Sequence, residues 1–228
     1  MSEREAILAR VRLALQRKAK EPGSQHGDGK SHLAGAPASG ARRWLPAVGE
    51  RFEERIELFR RNIVQLKGEF ILVGSRAELG SRLKELQRAE GWRSVGAHGG
   101  DLIEEMTGGL GLPICRTDQL YDVNELEKCD AGITGCDALV AQTGSVLVTG
   151  RSAGGRALSV LPPHHVVLSL REQLVADLPD AFGLVKQKYS GNYPSFISLI
   201  TGPSRTGDIE RILVLGAHGP KKLTIYCL

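Results

Sequence analysis

Aromatic side chains are scarce in this chain. Only 5% of its 228 residues are Phe, Trp or Tyr. The stacking platforms that hold single-stranded nucleic acid are therefore largely missing, and no base-reading motif replaces them. Long apolar runs are absent too, so no segment of about 18 residues can span a bilayer. The opening residues MSEREAILAR are charged where a secretory signal needs an apolar stretch. The four cysteines, Cys115, Cys129, Cys136 and Cys227, form no C-x-x-C pair. Neither a zinc ribbon nor a ferredoxin-type cluster can be written from them, and no metal site is predicted. A nucleophile elbow, a P-loop and a GxGxxG fingerprint are also missing, which removes the motif support for hydrolase, NTPase and dinucleotide-dehydrogenase readings. The remaining expectation is a cytoplasmic protein with reduced thiols, no membrane span and no nucleic-acid partner.

What is present suits a folded domain. Hydrophobic residues make up 41% of the chain, enough for a substantial core at this length. The net charge of +4 is unevenly spread. Residues 1–67 hold 14 Lys and Arg against 8 Asp and Glu, whereas the rest hold 16 against 18. The basic excess thus belongs to the N-terminal region and reads as solvated helix faces or a partner contact.

Ile7, Leu8, Val11 and Leu15 recur at helical spacing, which predicts an amphipathic helix within residues 1–20. Residues 21–49 are rich in Gly, Pro, Ser and Ala and read as a flexible linker, because they offer too little apolar surface to offset their ordering entropy. Residues 50–228 read as one α/β domain. Phe52, Ile56, Phe59 and Ile63 mark a helix, Phe70 to Val73 a strand, and Ser75-Arg-Ala-Glu78 a capping box that opens a second helix. A strand over Trp92 to Val95 and a helix at DLIEEM continue the alternation. AGITGCDALVAQTGSVLVT predicts a strand, a turn near Gly135 and a hairpin whose tip is Thr143-Gly144. Further strands are expected after Pro162-Pro163, at Phe196 to Ile200, Ile212 to Leu215 and Leu223 to Cys227, with a helix over roughly Leu174 to Tyr189.

Three patches are candidates to meet at strand ends and bind a small anionic ligand. The first is the hairpin tip, Gln142, Thr143, Gly144 and Ser145. The second is a corner formed by Gly202, Ser204, Arg205 and Thr206, where Ser204 and Thr206 are expected to cap a helix and leave its first N–H groups, beside the Arg205 guanidinium, facing an anion. Asp208 and Glu210 would sit early in that helix. The third is His218-Gly219-Pro220, with His218 as the candidate catalytic base or turn anchor. His164 and His165 point to opposite faces of an extended segment, so one is expected to pack beneath the sheet and the other to reach the cleft, rather than both to hold one metal.

GITGCDALVAQTGSVLV, GRALSVLPPHHVVL, TGPSRT-D-IE and G-x-HGP occur in this order and resemble the signature of the LutC or YkgG lactate-utilization family, whose domain is named LUD. The resemblance covers about Arg51 to Leu228. It implies a three-layer α/β/α sandwich with a mixed sheet, like that of the NagB, RpiA and CoA-transferase group. It further implies a component of a system that oxidises L-lactate to pyruvate, accessory or ligand-binding, whose Fe–S clusters reside on partner proteins; this chain shows no redox cofactor motif of its own. Two alternatives stay open: a stand-alone isomerase or CoA-transferase-like enzyme acting on a phosphorylated or acyl substrate, and an anion-binding scaffold or regulatory protein. One departure matters. Relatives commonly place Glu at the hairpin tip, whereas Gln142 stands here and an amide cannot serve as an acyl-accepting carboxylate.

Overall fold

In the computed structural model the described residues are 47–207, 213–215 and 219–228, all within the unit Leu45–Leu228. The expected N-terminal helix and nearly all of the expected linker lie outside them. From the first described residues the chain enters helix α1 (Phe52–Gln65), then strand β1 (Glu69–Leu72), α2 (Arg76–Glu90), β2 (Val95–Ala97), α3 (Asp101–Gly108), β3 (Ile114–Arg116), α4 (Val123–Glu127) and β4 (Ala131–Thr134). There follow β5 (Ala138–Val140), β6 (Ser145–Thr149), β7 (His164–Ser169), β8 (Leu174–Val175), α5 (Leu178–Lys188), β9 (Ile197–Ile200), β10 (Arg205–Gly207), β11 (Leu213–Leu215) and β12 (Lys222–Cys227). None of the helices among the described residues is long and apolar enough to cross a membrane.

The principal sheet has six strands in the order β1-β12-β7-β4-β2-β3, and every pairing in it is parallel. A parallel sheet buries both faces, and its central strands show this: all of His164–Ser169 and all of Ala131–Thr134 are buried. Neighbours in sequence serve opposite cores. Val166 and Leu168 join Tyr226, Leu79 and Leu83 of α2, and Ile103 and Met106 of α3 on one side. Val167, Leu223, Ile225 and Cys227 meet Ile56, Phe59 and Ile63 of α1 together with Leu139, Val146 and Val148 on the other.

Those last three residues belong to a second sheet, ordered β8-β5-β6-β9. Here β6 runs antiparallel to both β5 and β9, while β8 is parallel to β5. Mixed strand direction is thus confined to the smaller sheet. Its outer face, Ala138, Val140 and Leu147, is covered by Ala181, Val185 and Tyr189 of and just beyond α5.

Local chemistry sets most of the boundaries. Ser75 Oγ accepts the Glu78 N–H at 3.2 Å, but the Glu78 carboxylate reaches back to the Gly74 N–H at 2.9 Å instead of that of Ser75, so only half of the expected capping box forms. Asp177 caps α5 through the Asp180 N–H at 3.1 Å. The expected strand at Trp92 begins three residues later, because Trp92 leaves the strand path to pack edge-on against His164, with ring centroids 5.3 Å apart.

The largest local departure concerns Arg205–Gly207. Ser204 and Thr206 carry the chemistry of a helix start, yet Arg205–Gly207 is a strand, paired antiparallel with Leu213–Leu215. The β-rich run LVL provides a ladder partner, and that pairing outweighs a capping preference of about 1 kcal/mol. Asp208 and Glu210 lie outside the described residues.

Candidate functional site

The hairpin between β5 and β6 ends where the sequence places it, and the tip is docked on the C-terminal turn of α1. Asn62 Nδ2 donates to the carbonyl oxygens of Ala141 at 2.9 Å and Gln142 at 3.0 Å. Gly144 has φ 66°, and a Cβ there would lie 2.8 Å from Asn62 Cβ and 2.9 Å from the Ile63 nitrogen. The tip therefore requires glycine for both backbone conformation and space. Thr143 Oγ1 donates to Ser145 Oγ at 2.8 Å, and Ser145 Oγ lies 2.8 Å from Thr201 Oγ1. The Gln142 N–H donates to the Ala176 carbonyl at 3.0 Å.

The second and third patches arrive at the same place. Gly202, at φ 93°, approaches the Leu66 carbonyl, and the Arg205 guanidinium donates to that same oxygen. The Ser204 N–H donates to the Pro220 carbonyl at 2.9 Å, with Gly219 packed against the Ser204 side chain. His218 lies outside the described residues, as does the Thr206 side chain. The three patches thus gather around the end of α1, where the helix presents carbonyl oxygens and the negative end of its dipole. Arg205 caps that end; the free N–H groups expected beside it are replaced by a β ladder. The Asn62→Ala variant should lose about 2 kcal/mol of stability by urea denaturation, since two carbonyls lose their donor. A loss below about 0.5 kcal/mol would mean that Asn62 does not pin the tip.

A second assembly, missed from sequence, lies where the chain leaves the carboxyl ends of β2, β3 and β4. His98 follows β2 and accepts the Gly135 N–H on Nε2 at 3.3 Å, which fixes its proton on Nδ1 in the neutral ring. Burial is the main cause of its lowered pKa. Gly154, at φ 61°, packs so closely that a Cβ would lie 2.2 Å from His98 Cβ, and its carbonyl accepts Thr117 Oγ1 at 2.8 Å. The loop Gly150-Arg-Ser-Ala-Gly-Gly-Arg156 is thereby clamped to the main sheet.

Beneath that loop is a buried carboxylate. Asp137 Oδ1 accepts Lys188 Nζ at 2.6 Å and Tyr189 OH at 2.7 Å. Burial raises the Asp137 pKa, but the donors gathered around it, Lys188 first, then Ser152, Tyr189 and Thr149, together outweigh it and leave a net lowering. The carboxylate is held ionised in a dry setting. Its Oδ2 is buried without a hydrogen-bond partner among the described residues. The signal for this assembly was a double glycine between two arginines directly after a strand.

His164 and His165 do separate to opposite faces of β7, but neither reaches a cleft: they are 4% and 1% exposed. Central β7 is covered on both sides, which leaves no open face for either ring. The four thiols likewise divide between separate cores, Cys115 with Cys129 and Cys136 with Cys227. That distribution does not fit a four-thiolate cluster.

A family profile for the LUD domain matches residues 117–228. Lactate utilization protein C of Shouchella clausii is 36% identical over 106 residues, 46% of this chain and 46% of that protein. The namesake from Anoxybacillus flavithermus is 28% identical over 75% of this chain and 79% of its own length, and that from Deinococcus radiodurans 30% identical over 51% and 54%. The chain thus spans about half the length of two of these three relatives. A solved DUF162 family protein from Deinococcus radiodurans shares the fold, with a TM-score of 0.60 at 20% identity over 78% of this chain and 99% of its own.

Proposed function

We propose that this chain, whose residues 117–228 match the LUD domain profile, is a LutC-like component of a system converting L-lactate to pyruvate in the cytoplasm. The observation that carries this reading is the similarity of this chain to several proteins named lactate utilization protein C. In this reading the chain is an accessory or ligand-binding subunit, and the two electrons of lactate oxidation pass to Fe–S clusters on partner proteins. The hairpin tip at Gln142–Ser145 and the corner at Gly202–Arg205 form the surface offered to a ligand or partner. Their polar groups gather on one helix end, and that helix, α1, packs against residues of both sheets.

Acyl transfer through the hairpin tip is disfavoured. Gln142 lacks the carboxylate such a step would acylate, and its backbone N–H and carbonyl are both engaged in holding the turn. The test is reconstitution. The purified chain is combined with Fe–S proteins of the lactate-utilization system, L-lactate and an artificial electron acceptor, and pyruvate is measured. Turnover is expected only when the full set is present. Pyruvate formation by the isolated chain would end the accessory reading; an active partner mixture indifferent to this chain would remove it from the system.

A further inference from the structure

We infer that the cavity between the Gly150–Arg156 loop and the segment preceding β9 is a binding site for a phosphate-bearing small molecule. This inference is independent of the proposed function, which assigns nothing to that cavity. The cavity has a volume of about 380 Å³ and is lined by Arg151 and Arg156, by Gly150 and Gly155, and by Tyr193 and Phe196 among others; no acidic residue lines it. Its size falls in the range of small-molecule sites.

The charge balance sets the ligand class. Nearby cations are already neutralised: Lys188 is paired with the buried Asp137, and Arg116 with Asp118 and Glu104, each at 2.8 Å or less. Arg151 and Arg156, by contrast, form no ion pair among the described residues. Each guanidinium instead lies over a ring, Arg151 over Tyr189 at 5.3 Å and Arg156 over Phe196 at 5.9 Å. Such stacking holds a guanidinium by its face and leaves its N–H edge for an acceptor. Arg151 uses one donor on the Asn192 carbonyl, at 3.3 Å, and keeps others.

Two forked donors without carboxylates match a group bearing several anionic oxygens. A phosphate ester or a diphosphate can engage both forks, whereas a monocarboxylate satisfies one. Gly150 and Gly155 present no side chain to obstruct the approach, and the exposed ring of Tyr193 offers a surface for the organic part of the ligand. The site is also rigidly founded. Tyr189, which carries Arg151, is buried and anchored through its hydroxyl on Asp137, and the loop is clamped on His98 through Gly154.

The test uses the full chain and inorganic pyrophosphate as probe, followed by titration calorimetry and by ³¹P NMR. Saturable binding to one site is expected, weakening as salt rises. Arg151→Ala and Arg156→Ala should each weaken it by about tenfold or more, and the double variant should abolish it. A control double variant, Arg88→Ala with Arg93→Ala, removes the same charge elsewhere and should bind as the parent does. If the alanine double variant loses its melting transition, the Lys pair Arg151→Lys and Arg156→Lys replaces it; charge is kept but the forks are lost, so at least several-fold weakening is still expected. Pyrophosphate affinity unchanged in these variants, or equally reduced in the control, overturns the site. L-Lactate binding more tightly than pyrophosphate in an Arg151- and Arg156-dependent way overturns the phosphate assignment.

Discussion

Lowering the pH from 7.5 to 5 is expected to remove about 4 kcal/mol of folding stability through two histidines alone, at about 1.4 kcal/mol per pH unit for each shifted group. His164 and His165 lie side by side in β7, buried, with pKa values lowered from 6.5 to about 4 and about 3. For His164 burial is the main cause; Glu90 and Glu69 oppose it and Lys222 assists it. For His165 burial acts together with the neighbouring His164. Hydrogen bonding assigns the tautomer of His164. Thr224 gives its one proton to Glu69 Oε2 at 3.0 Å, so His164 Nε2, 2.9 Å from the same hydroxyl, must donate to it. Its Nδ1 then carries a lone pair buried without a partner. His165 Nε2 sits 2.9 Å from Thr134 Oγ1, and its Nδ1 is likewise unpartnered.

The sign follows directly. Both rings stay neutral in the folded chain down to their lowered pKa values, whereas in the unfolded chain they take up protons from about pH 6.5. The unfolded state therefore binds more protons across this window, and stability falls as the pH falls. Against a typical total of about 5–15 kcal/mol, such a loss brings the domain close to unfolding in mild acid. Urea denaturation at several pH values between 7.5 and 5 measures it, stopping above the carboxylate range. A flat profile would show that the rings are not buried neutral, and a His164→Asn, His165→Asn variant with an undiminished slope would place the proton uptake elsewhere.

The Gly144→Ala variant is expected to lose about 3 kcal/mol, combining left-handed backbone strain with overpacking against neighbouring backbone. The obstruction is hard to relieve. A methyl group at this position meets the Ile63 nitrogen and the Asn62 carbonyl carbon as well as a side chain, so the hairpin must lift from α1. Lifting it strains the two Asn62 bonds and the Ser145–Thr201 contact together. The comparison is Gly183→Ala, in α5, where a Cβ would meet nothing and a helical position favours alanine by about 1 kcal/mol. Opposite signs for the two variants are expected in thermal unfolding. A Gly144→Ala protein as stable as the parent would mean that the tip is not seated on α1.

Much of this architecture is legible in local pattern. Ile56, Phe59 and Ile63 face the core at helical spacing, and Thr143-Gly144 turns the hairpin where a positive φ is needed. Ser75 opens α2 through a bond that spans only three residues, whereas the helix expected from Leu174 starts at Leu178, after an Asp177 cap. The LUD resemblance is likewise carried by contiguous residues. Each of these signals depends on chemistry within one turn or one hairpin.

The sequence by itself therefore determined most of the α/β elements, their approximate limits and the resemblance to LUD proteins. Tertiary structure decided whatever depends on groups far apart in the chain. Arg205–Gly207 became a strand because Leu213–Leu215 was available to pair with it, and Arg205 became the cap of a helix about 140 residues earlier. Neither choice can be read from TGPSRT alone. His164 and His165 lost their access to a cleft because β12 and β4 flank β7 and cores cover both of its faces. The Asp137–Lys188–Tyr189 cluster joins positions about 50 residues apart, and the Arg151–Arg156 cavity exists only where the loop after β6 meets the approach to β9. Local propensities amount to about 1 kcal/mol or less per residue, whereas a ladder, a buried charge pair or a closed core draws on many residues at once. Where the two disagree, the long-range terms prevail.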